Sequence, residues 1–241
     1  MRYAILSDIH ANIESLTQAL SSVEGGDAVV SLGDVVGYGP NPNECVAALR
    51  ERCSHAVLGN HDLAALDSFG VEAFNKAARA AILWTQRVLD EPSRAWLNAL
   101  PYELRFPEFL LVHGAPVQYF EYILDKDAAS RAFARTDAPL VFVGHTHIAQ
   151  YWVLDADGSV GHKHMQHGGD LQLEEGKRYV VDVGSVGQPR DLNPQPSFVR
   201  YDAQERLVRW VRYEYPIEEV QRKMRLAQLP EYLIERLEAG R

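Results

Sequence analysis

Cysteine is scarce in this chain, which has only Cys45 and Cys53. They fall on or just after an expected helix, their spacing matches no metal or redox motif, and a disulfide scaffold is excluded. A reducing cytoplasm is the simplest setting for them. Long apolar runs are missing too. None approaches the roughly 20 residues that a membrane helix needs, so no membrane association is expected. The first strand-like run begins at Tyr3 and leaves no room for a signal peptide. Positive charge is in deficit: 24 Lys and Arg stand against 33 Asp and Glu, a formal net charge of −9. Stable nucleic-acid binding needs clustered cations and is not expected. There is no low-complexity linker or internal repeat. A chain of 241 residues can bury a large core, so a single α/β domain over residues 1–241 is expected.

What is present is more pointed. Five short strings each end an apolar run: Asp8-Ile9-His10, Gly33-Asp34, Gly59-Asn60-His61-Asp62, His113-Gly114 and Gly144-His145-Thr146-His147. The runs before them, Tyr3 to Leu6, Ala28 to Leu32, Ala56 to Leu58, Phe109 to Val112 and Leu140 to Val143, read as strands covered on both faces. The strings should gather at one edge of a sheet, where open α/β folds place their ligand sites. Alone, Asp8 could cap the helix that starts near Asn12, Asn60 could be a turn residue and His113 a core histidine. Together they read as a metal site.

Donor chemistry narrows the metal. A mixed oxygen and nitrogen set without thiolate suits manganese, iron, zinc or nickel, and manganese or iron is the first expectation. Asp8, His10, Asp34, Asn60, His113, His145 and His147 are too many for one tetrahedral ion. Two divalent ions sharing a carboxylate fit better, and such pairs serve in-line displacement at phosphorus. Two divalent ions would also outweigh the carboxylates locally, so the acidic net charge does not argue against a phosphorylated substrate.

The order of these strings resembles that of the calcineurin-like metallophosphoesterases, over roughly residues 1 to 190. The stretches Gly33-Asp34-Val35-Val36-Gly37-Tyr38-Gly39-Pro40-Asn41-Pro42 and Gly184-Ser185-Val186-Gly187-Gln188-Pro189-Arg190-Asp191 are similar to a bacterial and archaeal branch related to YfcE-type phosphodiesterases and diadenosine tetraphosphatases. The resemblance implies a four-layer αββα sandwich of two mixed sheets flanked by helices. It implies one metal on Asp8, His10, Asp34 and His147, and a second on Asn60, His113 and His145 with Asp34 bridging. A hydroxide held between the metals would attack phosphorus, and His61 would protonate the leaving oxygen or steady the phosphate.

One departure matters. In the protein serine/threonine phosphatases of this superfamily the second motif continues to an Asp that orients the catalytic His and an Arg that grips the phosphate. Gly37 and Tyr38 stand in those places. Without that carboxylate another group must set the orientation of His61. Without that guanidinium a doubly charged monoester loses its bidentate clamp. Cleavage of a small phosphodiester or phosphoanhydride is therefore expected, with Tyr38 and Arg190 as candidate substrate contacts. The alternatives are a phosphomonoesterase or protein phosphatase, or a metal-binding scaffold with weak catalysis. A homo-oligomer is compatible with the aromatic residues Tyr119, Phe120 and Tyr122, which would otherwise rim the cleft.

The rest of the chain supports this architecture. Helices are expected over Asn12 to Ser22, from Asn41 with a capping box to Glu44, over Glu72 to Leu89, Pro92 to Leu100, Pro216 to Leu226 and Pro230 to Leu237. Strand-like runs at Gln150 to Leu154, Arg178 to Val183, Ser197 to Tyr201 and Leu207 to Tyr213 read as a second sheet. His162, His164 and His167 alternate on an extended segment with no adjacent carboxylate, so they are left out of the metal set.

Overall fold

In the computed structural model, which describes residues 1–67 and 70–241, the apolar runs form strands and the capped segments between them form helices. In chain order the strands are β1 (Arg2–Leu6), β2 (Ala28–Ser31), β3 (Cys53–Ala56), β4 (Glu103–Arg105), β5 (Leu110–Val112), β6 (Leu140–Val143), β7 (Ala149–Leu154), β8 (Val160–His164), β9 (Gly169–Gln172), β10 (Arg178–Val183), β11 (Ser197–Asp202) and β12 (Leu207–Arg212). The helices are α1 (Ile13–Ser22), α2 (Pro42–Arg52), α3 (Asn60–Leu66), α4 (Lys76–Val88), α5 (Glu91–Asn98), α6 (Lys126–Ala134), α7 (Ile217–Leu226) and α8 (Glu231–Ala239), with a 3₁₀ turn at Val71–Ala73.

Two six-stranded mixed sheets result, ordered β3-β2-β1-β11-β12-β9 and β4-β5-β6-β10-β7-β8. Each has a parallel half that carries the motifs. In the first, β1, β2 and β3 run parallel. In the second, β5, β6 and β10 do. The later antiparallel strands extend both. The expectation that the last four strands form a sheet of their own is corrected: β7 and β10 join one sheet, while β11 and β12 join the other. The motif strings likewise come from both sheets, not from one edge of a single sheet. β1 explains this. Tyr3 to Leu6 are all buried, so β1 needs a neighbour on each side, and β11 pairs with it from Arg2↔Asp202 to Ile5↔Val199.

The main core lies between the sheets, where Ile5, Leu32, Phe109, Phe142, Val181 and Tyr201 interleave. Phe142 is fully buried, with its ring centroid 5.3 Å from that of Tyr201 and 5.8 Å from that of Phe109. α1, α2 and α5 cover the outer face of the first sheet through Leu16, Leu49 and Leu97. α6 covers the second through Ala129, Ala132 and Phe133. The layers are therefore helix, sheet, sheet, helix. α7 and α8 pack with α4 in a separate cluster built on Val220, Met224, Leu233 and Ile234.

Several boundaries differ from the sequence reading. β3 ends at Ala56, so Val57 and Leu58 already belong to the loop that carries Asn60. α4 starts only at Lys76, because the Asn75 side chain caps it by accepting from the Ala77 and Ala78 N–H groups. Asn41 precedes α2 but caps it with no side-chain bond to the backbone; its Nδ2 donates to Glu44 Oε1 instead. α6 was not expected. Its signal is Asp125, which accepts from Ala128 N–H ahead of an alanine-rich stretch. Both cysteines are free thiols, and no helix among the described residues is long and apolar enough to cross a membrane.

Truncating Phe142 to Ala should cost about 3–5 kcal/mol, the usual range for a fully buried ring. Leu226, 72% exposed, should tolerate the same change within about 0.5 kcal/mol. Urea unfolding midpoints measure both. A loss below 1 kcal/mol at Phe142 would show that the two sheets do not share a tight core.

Candidate metal centre

The five strings meet where the parallel halves of the two sheets end. Backbone bonds stitch them together: Asp8 N–H donates to Gly33 O, His10 N–H to Asp34 O, Gly144 N–H to His113 O and Gly187 N–H to Asp8 O. The sheets approach closely here because Gly144 has no side chain. A Cβ on it would lie 1.9 Å from Ser7 Oγ and 2.5 Å from Asp8 Oδ2. The turns are sharp. Asp8, His10, Asp34, His145 and His147 all have positive φ, between 48° and 68°. Such conformations cost roughly 1–3 kcal/mol each and persist only where the surroundings impose them.

Each ligand-type histidine is aimed by a backbone carbonyl. Nδ1 donates to Val36 O in His10, to Leu32 O in His113 and to Gln188 O in His147, while in His145 it is Nε2 that donates, to Phe120 O. A carbonyl can only accept, so each outer nitrogen carries the proton and each inner nitrogen of a neutral ring presents a lone pair. The inner atoms face one another: His10 Nε2 lies 3.1 Å from His147 Nε2, and His113 Nε2 lies 3.1 Å from His145 Nδ1. Asn60 Oδ1 is also 3.1 Å from His113 Nε2. Converging lone pairs repel unless a cation lies among them.

The carboxylates complete the set. Asp8 Oδ2 accepts from His145 N–H, while its Oδ1, buried without a hydrogen bond, faces His147 Nε2 at 3.2 Å. Asp34 Oδ1 accepts from His61 N–H, and its Oδ2 lies 3.4 Å from His113 Nε2 and 3.6 Å from His10 Nε2. Asp34 thus belongs to both groups of converging donors, Asp8 with His10, Asp34 and His147, and Asp34 with His113 and His145. Within each group the donor atoms lie within 4.8 Å of one another. These Asp and His residues are positioned to bind metal ions.

The electrostatics agree. Burial alone would raise both carboxyls, but the facing imidazoles hold Asp8 and Asp34 well below the usual carboxylate range. Burial would likewise lower His113, yet the Asp34 carboxylate lifts it to about 10. Burial, reinforced by the charge on His113, takes His145 down to about 3. Two buried carboxylates thus draw one positive charge into a pocket whose other imidazoles stay neutral. That is the demand a divalent ion meets.

His61 stands at the side of this cluster on α3. Its ring sits 4.3 Å from that of Tyr38, 4.8 Å from that of His10 and 4.8 Å from that of Phe74. Its Nδ1 is buried with no hydrogen-bond partner among the described residues. A Cβ on Gly37 would meet that atom at 2.5 Å. Gly37 therefore makes room for the ring, and aromatic packing orients it in place of a carboxylate. Burial pushes His61 down to about 4. Tyr38, itself buried, forms the wall behind His10 and His61, and its hydroxyl accepts from Arg190 Nη2. Arg190 Nη2 also donates to Gln188 Oε1, and its Nε is buried without a partner among the described residues.

Several supporting residues carry no role in the sequence reading. Asp62 accepts from Val36 N–H and Gly59 N–H, which fixes the loop carrying Asp34 against the start of α3; burial and the nearby Asp34 charge lift its carboxyl to about 7. Asp182 accepts from the Thr146 hydroxyl and holds the turn between His145 and His147. Ser185 Oγ donates to Asp8 O. Asp62 was visible as the last letter of its motif. Asp182 lies inside an apolar strand with no signal but its charge. His162 and His164 lie on β8, an edge strand, where His162 Nε2 meets Gln150 Oε1 at 2.8 Å, and neither they nor His167 belong to the convergent groups.

Comparison with known proteins agrees with this geometry. The family model described as the calcineurin-like phosphoesterase superfamily domain matches residues 1–206. An uncharacterised protein of Methanocaldococcus jannaschii is 36% identical over 246 residues, covering 99% of this chain and 98% of the relative. A metallophosphoesterase crystal structure from Sphaerobacter thermophilus superposes with a TM-score of 0.89 at 38% identity over the whole of both chains. A hypothetical protein of Pyrococcus horikoshii shares the fold, with a TM-score of 0.79 at 21% identity over 100% of this chain and 98% of that one.

Adding Mn²⁺ to chelated protein should raise its unfolding temperature. The gain is about 2.7 kcal/mol when the free ion exceeds its Kd a hundredfold. Asp34→Ala should abolish that rise, whereas Asp137→Ala, on a side chain 93% exposed, should retain it. A melting curve of the unmutated protein that ignores Mn²⁺ would show that these donors do not take the ion.

Proposed function

The chain belongs to the calcineurin-like phosphoesterase superfamily, and from that premise we propose that it is a dinuclear hydrolase of a small phosphodiester or phosphoanhydride. The observation that carries the reading is Asp34, shared by two groups of converging donors. Asp8, His10, Asp34 and His147 would hold one ion, and Asp34, Asn60, His113 and His145 the other. This oxygen and nitrogen set suits manganese, iron, zinc or nickel. When bound, two such ions supply a water acidic enough to attack near neutral pH and positive charge facing the phosphate oxygens.

The remaining steps fall to the chain's own residues. Asp34 sets the spacing of the two donor groups. His61, neutral because of its burial, presents a ring N–H to the leaving oxygen and steadies its developing negative charge with a hydrogen bond as the P–O bond breaks, while that oxygen takes up the proton released by the attacking water. Arg190 places its guanidinium over the Tyr38 ring, 5.6 Å from its centroid. One of its terminal nitrogens is already occupied by Tyr38 and Gln188. A clamp so engaged suits a singly charged diester better than a doubly charged monoester. The scaffold alternative draws on the unpartnered Nδ1 of His61.

A diester and a monoester sharing one aryl leaving group, assayed in Mn²⁺, separate these readings. Faster diester cleavage that disappears in Asp34→Asn is expected; faster monoester cleavage would assign the enzyme to phosphomonoesters. Two bound ions with neither substrate turned over would favour the scaffold.

His61→Ala should leave metal content intact and slow cleavage of an alkyl ester on the order of 10²–10³-fold, the loss of one preorganised donor. The loss should be much smaller with p-nitrophenolate, whose delocalised charge needs little help from a donor. Gly37→Ala, which displaces the same ring, should reproduce that pattern. Equal losses with both leaving groups would remove His61 from the leaving-group side.

A further inference from the structure

A cleft of about 370 Å³ opens directly beside the metal centre. Asn60 and His145 form its inner end; Leu63, Ala64, Ala73 and Phe74 line one side and Phe120 and Tyr122 the other. No charged side chain lines it among the described residues. Tyr122 is its most exposed aromatic wall, 46% accessible, with its ring stacked on His145 at 3.8 Å and an interplanar angle of 19°. Phe74 stands edge-on to His61 across the mouth.

A cleft of this size and lining accepts apolar matter. It is continuous with the site of phosphoryl chemistry, so the occupant is part of the molecule being cleaved. Among the described residues its lining offers a further phosphate group no cation. It does offer aromatic faces, the surface on which flat unsaturated rings stack.

We infer that the substrate carries a planar ring, a nucleobase or a simple aryl group, that stacks against Tyr122 in this cleft while its phosphate faces the metal donors. The inference rests on the phosphoesterase reading above and adds the chemical class of the organic group.

The test is calorimetric binding to Mn²⁺-loaded protein of two matched pairs: adenosine 5′-monophosphate with ribose 5-phosphate, and phenyl phosphate with methyl phosphate. The ring-bearing member of at least one pair should bind about tenfold tighter, a difference within what one base–aromatic stack supplies. The pair that shows the preference identifies the source of the ring. Tyr122→Ala should erase the preference and Tyr122→Phe should preserve it. Equal affinity within both pairs overturns the ring assignment while leaving the phosphoesterase reading standing. Binding of none of the four, with no ester hydrolysed, overturns the phosphoesterase reading itself. A preference that survives Tyr122→Ala places the ring elsewhere and also overturns the assignment.

Discussion

Imidazole nitrogens brought within 3.1 Å of each other have no comfortable arrangement without positive charge among them, a proton on His113 or a metal ion, and much of the structure exists to hold them there. Each ring is turned inward by a carbonyl from another motif loop or from the strand-end turn after β10. The orientation of any one histidine therefore depends on several loops at once. The left-handed residues at Asp8, His10, Asp34, His145 and His147 have the same origin. A strand end that must present a side chain sideways, within two or three residues, leaves the extended region abruptly. Hydrogen bonds between the loops, and an ion when present, offset that strain.

The carboxylates and the histidines are complementary in this respect. Asp8 and Asp34 are buried and ionised only because imidazoles face them, and His113 is raised because Asp34 faces it. Neither class of residue would be stable in its state without the other. Asp62 and Asp182 lie one step further out, where burial lifts their carboxyls and hydrogen bonds rather than ions hold them in place. Buried aspartates thus lie on both sides of the ordinary carboxylate range around one site.

Much of this was legible in the sequence, because strand ends and donor types are local properties. β1, β2, β5 and β6 could be read from apolar runs, and the donors from the strings that close them. Sheet membership could not. Whether β11 lies beside β1 or beside β10 depends on pairing across almost two hundred residues, and no local pattern encodes it. Gly37 shows a second limit. In the sequence it marks a missing carboxylate; in the structure it is the space that His61 occupies. The meaning of a small residue lies in its neighbour. The aromatic cleft was half visible: Phe120 and Tyr122 were noticed, but Leu63 and Phe74 come from the opposite side of the site and join them only on folding.

The placement of β1 has a consequence for how the protein is made. The strand that delivers Asp8 is translated almost two hundred residues before its partner β11. Tyr38, which backs His10 and His61, is covered by α7 and α8, later still. Loop closure over such separations is slow. During synthesis one edge of β1 stays bare until β11 has been translated. Until then the loop that carries Asp8 and His10 lacks the lateral support of that pairing.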